Sequence, residues 1–208
     1  MKLLLRHNMS ITGEFIPGHL NLMMVFQVNC PGCFMHGFPL MRELQTYFVN
    51  NLSCVALSTA FEDFELNTPE NSRLLFTKNQ LLGETLKAQQ SGLLEWDAQT
   101  ITFPVLMDDV IGQPELLQPE FIDKVIENIR EGTPAATPDD LRNMRTTLSS
   151  YFGQVPQCGY TFAANLMRGT PSFFLFTDTM EILTQWFGHA DSRVIKEKLG
   201  MLMRLEGL

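Results

Sequence analysis

Residues 20–36, LNLMMVFQVNCPGCFMH, change their period in the middle. Up to Val28 the run is almost wholly apolar, as in a strand covered on both faces. Beyond Pro31 the apolar residues Phe34, Phe38, Met41, Leu44 and Phe48 recur every three or four positions as far as about Asn50, as on one face of a helix. The joint between strand and helix is Cys30-Pro31-Gly32-Cys33. Pro31 falls at the first helical position, where a missing N–H does no harm, and Pro39 is expected to kink the helix after two turns.

A cysteine at a helix start meets unsatisfied N–H groups and the positive end of the helix dipole, both of which favour thiolate. Cys30 is therefore the candidate nucleophile, with a pKa below the ordinary value of about 8.5. Cys33, nearly one turn along on the same side, is the candidate resolving thiol. A CxxC pair also serves zinc, but a zinc site needs a second pair of ligands. The candidates are His36, Cys54 and Cys158, and none of them completes a motif. No metal and no cofactor are expected; His36 reads as a surface or packing residue and Cys54 as a small core residue. Cys158, in a Gly-rich stretch, is either a plain free thiol or one that exchanges with the pair.

The segments that follow alternate. Ser53–Thr59 reads as a second strand, and Thr68-Pro69-Glu70 reads as the cap and first turn of a helix running to about Gln90, closed by Ser91-Gly92. Residues 101–107, ITFPVLM, form a third strand ending at Asp108-Asp109. Residues 119–131 place Phe121, Ile122, Val125, Ile126 and Ile129 on one helical face and stop at Gly132. After the linker TPAATP, Thr137 caps a helix with Leu141, Met144, Leu148 and Tyr151 inward. Residues 110–165 are thus expected to form a helical insertion within a single domain spanning 1–208. SFFLFT (172–177) and EILTQWFG (181–188) form a hairpin, and a last helix from about His189–Ser192 carries Val194, Ile195, Leu199, Leu202 and Met203 inward.

Bulk properties exclude several classes. The chain has 208 residues, a net charge of −8 and 45% hydrophobic residues, enough for a real core. No basic stretch offers the phosphate-neutralising face that nucleic acid requires. The longest apolar runs are strand-sized, so no membrane span is expected. Arg6 and His7 interrupt the N-terminal leucines too early for a secretory leader, which points to the cytoplasm. Four cysteines are too few for a disulfide scaffold.

With VNCPGC closing a strand, Pro39 in the next helix and RGTPSFFLFTDTMEILTQWFGHAD (168–191) near the end, the chain resembles the thioredoxin-like superfamily. Within it the likeness is to the redoxin branch of TlpA-type thiol-disulfide oxidoreductases and AhpC/TSA proteins. The match runs over residues 20–109 and 165–206. The resemblance implies an α/β fold with a central mixed sheet flanked by helices, and an insertion before the strand that follows a cis-proline. Thr170-Pro171 matches that proline, which in the superfamily packs against the CxxC and presents backbone to a substrate. Pro31, Gly32, Thr170 and Pro171 are accordingly the expected substrate-binding residues, and Cys30 and Cys33 the catalytic ones.

Thiol-disulfide exchange is the implied activity. Its partners would be a disulfide-containing protein or a small thiol, with a thiol reductant system to reset the pair; the insertion is expected to shape a substrate surface or a homodimer contact. An antioxidant thiol peroxidase is the alternative within the superfamily. Its PxxxTxxC pattern fails here, because Met23 and Gln27 hold those positions, although Arg168 is placed to approach the thiolate. A dithiol that holds a metal is the third reading. Asn29 replaces the Trp that many thioredoxins carry before the motif. The preceding strand also lacks the superfamily's buried acid, and Glu62, Asp63 and Glu65 are left as candidate proton acceptors for Cys33.

Overall fold

Alternation along the apolar run settles the layers. In the computed structural model, which describes residues 1–131 and 136–206 with side chains through 204, residues 20–26 form a strand buried along its whole length. Leu22, Met24 and Phe26 face one core and Met23 and Val25 the other, as a strand of period two in the middle of three layers must. The expected helix stop at Gly132 and the first half of the TPAATP linker lie outside the described residues.

In chain order the first half comprises β1 (His7–Thr12), β2 (Leu20–Phe26), a π-helical turn (Cys33–Gly37) leading into α1 (Phe38–Tyr47), β3 (Ser53–Ser58), α2 (Pro69–Lys78) and α3 (Gly83–Gln90). The middle contains β4 (Val105–Asp108), β5 (Val110–Gly112), α4 (Gln113–Leu116), α5 (Pro119–Arg130), α6 (Pro138–Phe152), β6 (Gln157–Gly159) and α7 (Tyr160–Ala164). The hairpin β7 (Ser172–Thr177) and β8 (Ile182–Phe187) and the helix α8 (Ser192–Glu206) close the chain.

The main sheet has the order β1-β4-β3-β2-β7-β8, parallel across β4, β3 and β2 and antiparallel elsewhere. It is the mixed sheet expected. Helices α1, α3 and α8 cover one face, and α4 to α7 cover the other, while β5 and β6 pair as a separate ribbon. Among the described residues no helix is long and apolar enough to cross a membrane.

Four local readings change. The edge strand β1 escapes a search for buried runs because most of its residues face solvent. The helix expected over 68–90 is two helices: Asn79 takes a left-handed conformation (φ 56°) at the end of α2, and its side chain accepts from Ala98 N–H at 2.8 Å. The third strand begins only at Val105, after a 3₁₀ turn at Ala98–Thr100. On α6 the inward pair is Leu148 and Phe152, four residues apart, whereas Tyr151 is 54% exposed.

Asp108, which the sequence left as a strand end, joins the sheet to the segment between β4 and β7. Its buried carboxylate accepts from the Thr59 hydroxyl at 2.7 Å and from the N–H groups of Thr161 and Phe162 at 2.9 and 3.2 Å, capping α7. Burial nevertheless dominates and pushes its pKa up from 3.8 to about 6. Between these values the native state binds the extra proton, so Asp108's contribution to stability falls as pH rises through the window, by about 3 kcal/mol in all. Urea unfolding should show the native protein more stable than Asp108→Asn, whose amide meets three donors, with the gap narrowing from pH 4 to pH 7. A pH-independent gap would contradict the assignment. Gly159→Ala should destabilise by about 1–3 kcal/mol, because the added Cβ would run into the Thr59 hydroxyl and the Asp108 carboxylate.

Candidate active site

Beyond β2 the backbone turns at once into the CPGC segment. Gln27 carbonyl accepts from Cys30 N–H at 3.2 Å, and Cys30 carbonyl accepts from Cys33 N–H at 3.0 Å. Pro31 and Gly32 are helical, as expected. The break attributed to Pro39 occurs one turn earlier: from Cys33 the helix runs as a π turn, closed by Phe38 N–H donating to Cys33 carbonyl, and α1 restarts with Pro39 in its first turn. The turn is pinned from below by aromatic packing. Phe34 meets Trp96 at 4.8 Å between centroids, and Phe38 meets Phe26 and Trp96, each at 5.0 Å.

The two thiols have unequal surroundings. Cys30 is partly exposed, Cys33 has 0% exposure, and their unbonded Sγ atoms lie 2.8 Å apart. Cys30 is lowered to about 6. The largest cause is the hydrogen bond from the Cys33 thiol; burial opposes it, and Thr170 together with the Cys33 and Gly32 N–H groups adds to the lowering. The helix-start N–H groups anticipated from the sequence thus contribute, but the neighbouring thiol contributes most. Cys33 is raised, by burial first and then by its bond to Cys30.

The two distant motifs meet. Cys30 Sγ lies 3.5 Å from Thr170 carbonyl oxygen, and the Thr170–Pro171 peptide is cis. Pro171 packs against Gly37, where an added Cβ would sit 2.6 Å from Met24 Sδ and 3.4 Å from the proline ring. Its carbonyl accepts from Gly188 N–H at 2.8 Å, which ties the loop to the end of β8.

Two polar residues of the site gave no signal in the sequence beyond their position. Gln27 is buried; its side chain takes the Thr170 hydroxyl at 3.5 Å and donates to Glu62 carbonyl at 3.2 Å. Asn29 donates to Asp63 carboxylate and accepts from Glu84 N–H, both at 2.7 Å, so it caps α3. A Cβ at Gly83 would run into that Asn29 oxygen. These bonds hold the 62–67 loop and α3 around the dithiol.

Other expectations are redirected. Glu62, Asp63 and Glu65 are exposed, and none is among the groups acting on Cys33; Asp63 holds Asn29 instead. Arg168 is exposed, lines a cleft with Phe174 and Phe187, and is not among the groups that lower Cys30. Cys54 and Cys158 are buried and pushed up to about 12, so both stay protonated thiols and Cys158 is a poor exchange partner. His36 is exposed, its ring 4.8 Å from that of His189. Among the described residues no group of three or more His, Cys, Asp or Glu is arranged to hold a metal ion.

No protein-family model matches the chain, and no curated protein matches it in sequence. Solved structures do. A thioredoxin-like superfamily protein is 22% identical with a TM-score of 0.57, the match covering 98% of this chain and 96% of that one. A thiol-disulfide isomerase from Corynebacterium glutamicum is 20% identical with a TM-score of 0.56, over 97% and 95% of the two chains. At such identities the likeness is one of architecture, and it agrees with the sheet, the CPGC turn and the Thr170–Pro171 loop described above: the chain has the thioredoxin-like fold.

Proposed function

We propose that the protein is a thiol-disulfide oxidoreductase that works through Cys30 and Cys33. The observation that carries this reading is the asymmetry of the pair, a partly exposed sulfur lowered to about 6 against a fully buried one 2.8 Å away. At neutral pH Cys30 is mostly thiolate, about nine parts in ten. It attacks a substrate disulfide, forming a mixed disulfide and releasing one substrate thiolate. Cys33 then loses its proton and attacks Cys30 Sγ; the second substrate sulfur leaves as a thiol and the Cys30–Cys33 disulfide forms. Two electrons pass from the dithiol to the substrate, and an external thiol reductant returns them. Run backwards, the same steps oxidise substrate thiols.

Thr170 and Pro171 supply the surface beside Cys30 on which the substrate chain lies, and Pro31 and Gly32 form its other border. Gly32 suits this, since nothing lies within 4 Å of where its Cβ would be. A disulfide-bearing protein or small disulfide as substrate, and a cellular thiol system as reductant, follow from this chemistry. The cytoplasm is the compartment proposed, where such a reductant pool is present. A fold neighbour that carries the name thiol-disulfide isomerase is in keeping with the reading.

Cys30→Ser should abolish reduction of a protein disulfide such as that of insulin, and Cys33→Ser should accumulate a mixed disulfide through Cys30, seen by mass spectrometry. Activity retained in Cys30→Ser, or a Cys33→Ser variant that forms no mixed disulfide through Cys30, would sink the proposal. Alkylation of the reduced protein by iodoacetamide should titrate with a midpoint of about pH 6 for Cys30. Cys33→Ala, which removes the donor, should move that midpoint upward; a midpoint unchanged by the substitution would refute the role given to the Cys33 hydrogen bond.

A further inference from the structure

The loop that carries Thr170 and Pro171 borders a cleft. Beyond α7 the chain turns at Leu166, which takes a left-handed conformation (φ 49°) that leucine rarely adopts and is 39% exposed. Arg168 and Gly169 follow, and then Thr170 with its carbonyl 3.5 Å from Cys30 Sγ. Leu166 and Arg168 line a cleft of about 220 Å³ together with Ser172, Phe174, Gln185 and Phe187. In the hairpin Ser172 lies opposite Phe187 and Phe174 opposite Gln185, so these four share one face of the sheet.

Two features of this cleft bear on the neighbouring sulfur chemistry. The ring of Phe187 is 52% exposed and lies on Gly169, where a Cβ would meet Phe187 Cε2 at 2.8 Å. An apolar surface is thus open to solvent one residue from Thr170. Arg168 is exposed to the same cleft and forms no ion pair or hydrogen bond among the described residues. It is not among the groups that lower Cys30, so its charge does not serve the thiolate.

Arg168 stands two residues before Thr170, about 7 Å along an extended chain. A substrate lying extended beside Thr170, with its cysteine at Cys30, presents the side chain two positions away at the same interval and on the same side. At about 30 Å³ for each water-sized group the cleft holds roughly seven non-hydrogen atoms, the size of one side chain. A purely apolar side chain there would cover the guanidinium without meeting its donors. A carboxylate meets them, in the bidentate form that suits arginine, while its methylene stem lies on Phe187. We infer that Arg168 determines substrate specificity, selecting disulfides that carry a glutamate two positions from the reacting cysteine. This inference rests on the redox reading above.

The test compares disulfide-linked dimers of a short peptide in which the position two before, or two after, the cysteine is Glu, Gln or Lys, with dithiothreitol as reductant. At one of the two placements the Glu peptide should be reduced with a kcat/KM about five- to tenfold above that of the Gln peptide, mainly through KM, and the Lys peptide should be poorest. In Arg168→Gln the preference for Glu should vanish, and in Arg168→Lys part of it should return. The alkylation midpoint of Cys30 should stay at about pH 6 in both variants. Arg168 is exposed, so its substitution leaves the core as it is. Equal reduction of Glu and Gln peptides by the native protein at both placements, or a preference that persists in Arg168→Gln, overturns the inference and leaves the redox reading standing. So does a Cys30 midpoint that moves with Arg168, which would place that charge on the thiolate. A native protein that reduces none of the peptides contradicts the redox reading itself, and this inference with it.

Discussion

Cys33 lies at 0% exposure and gives its thiol hydrogen bond to Cys30 Sγ, 2.8 Å away. Each sulfur sets the other's state: the donor stabilises a thiolate on Cys30, and the thiolate in turn holds the proton on Cys33. Without the contact Cys30 would lose the largest of the bonds that lower it, leaving Thr170 and the Cys33 and Gly32 N–H groups to oppose its burial. One short contact thus divides the pair into a partly exposed sulfur that is lowered and a buried one that is raised, the asymmetry on which the proposed attacking and resolving roles rest.

Keeping that contact constrains much of the surrounding chain. The end of β2 must deliver Cys30 while the helix behind it carries Cys33 inward, where a π turn begins. Phe34 and Phe38 wedge the turn against Phe26 and Trp96. Gly37 leaves room for Pro171, which brings Thr170 to Cys30. On the other side Asn29 fixes α3 and the 62–67 loop, and Gln27 links that loop to Thr170 from within the core.

Periodicity exposed what lies within single elements. The switch from a continuous apolar run to a spacing of three and four located β2, the CPGC turn and α1, and Thr170-Pro171 ahead of SFFLFT located the opposing loop. Side-chain hydrogen bonds across long sequence separations stayed hidden, because they impose no local pattern. Asp108 reaches Thr161, 53 residues on, Asn29 reaches Glu84 and Gln27 reaches Thr170. Each is an ordinary polar residue at a strand end until the fold supplies its partner. The break between α2 and α3 was masked for the same reason, since Asn79 is held by Ala98 from outside the helix. Val194 and Tyr151 had suitable spacing but lie where the neighbouring layer does not cover them.

The reduction potential of the Cys30–Cys33 pair is the most direct test, measured by equilibrating the protein with glutathione or dithiothreitol redox buffers and counting free thiols. A reversible two-electron couple between about −300 and −100 mV that disappears in Cys30→Ser is expected. A pair that never forms a disulfide across that range, or one that cannot be reduced once formed, would contradict it.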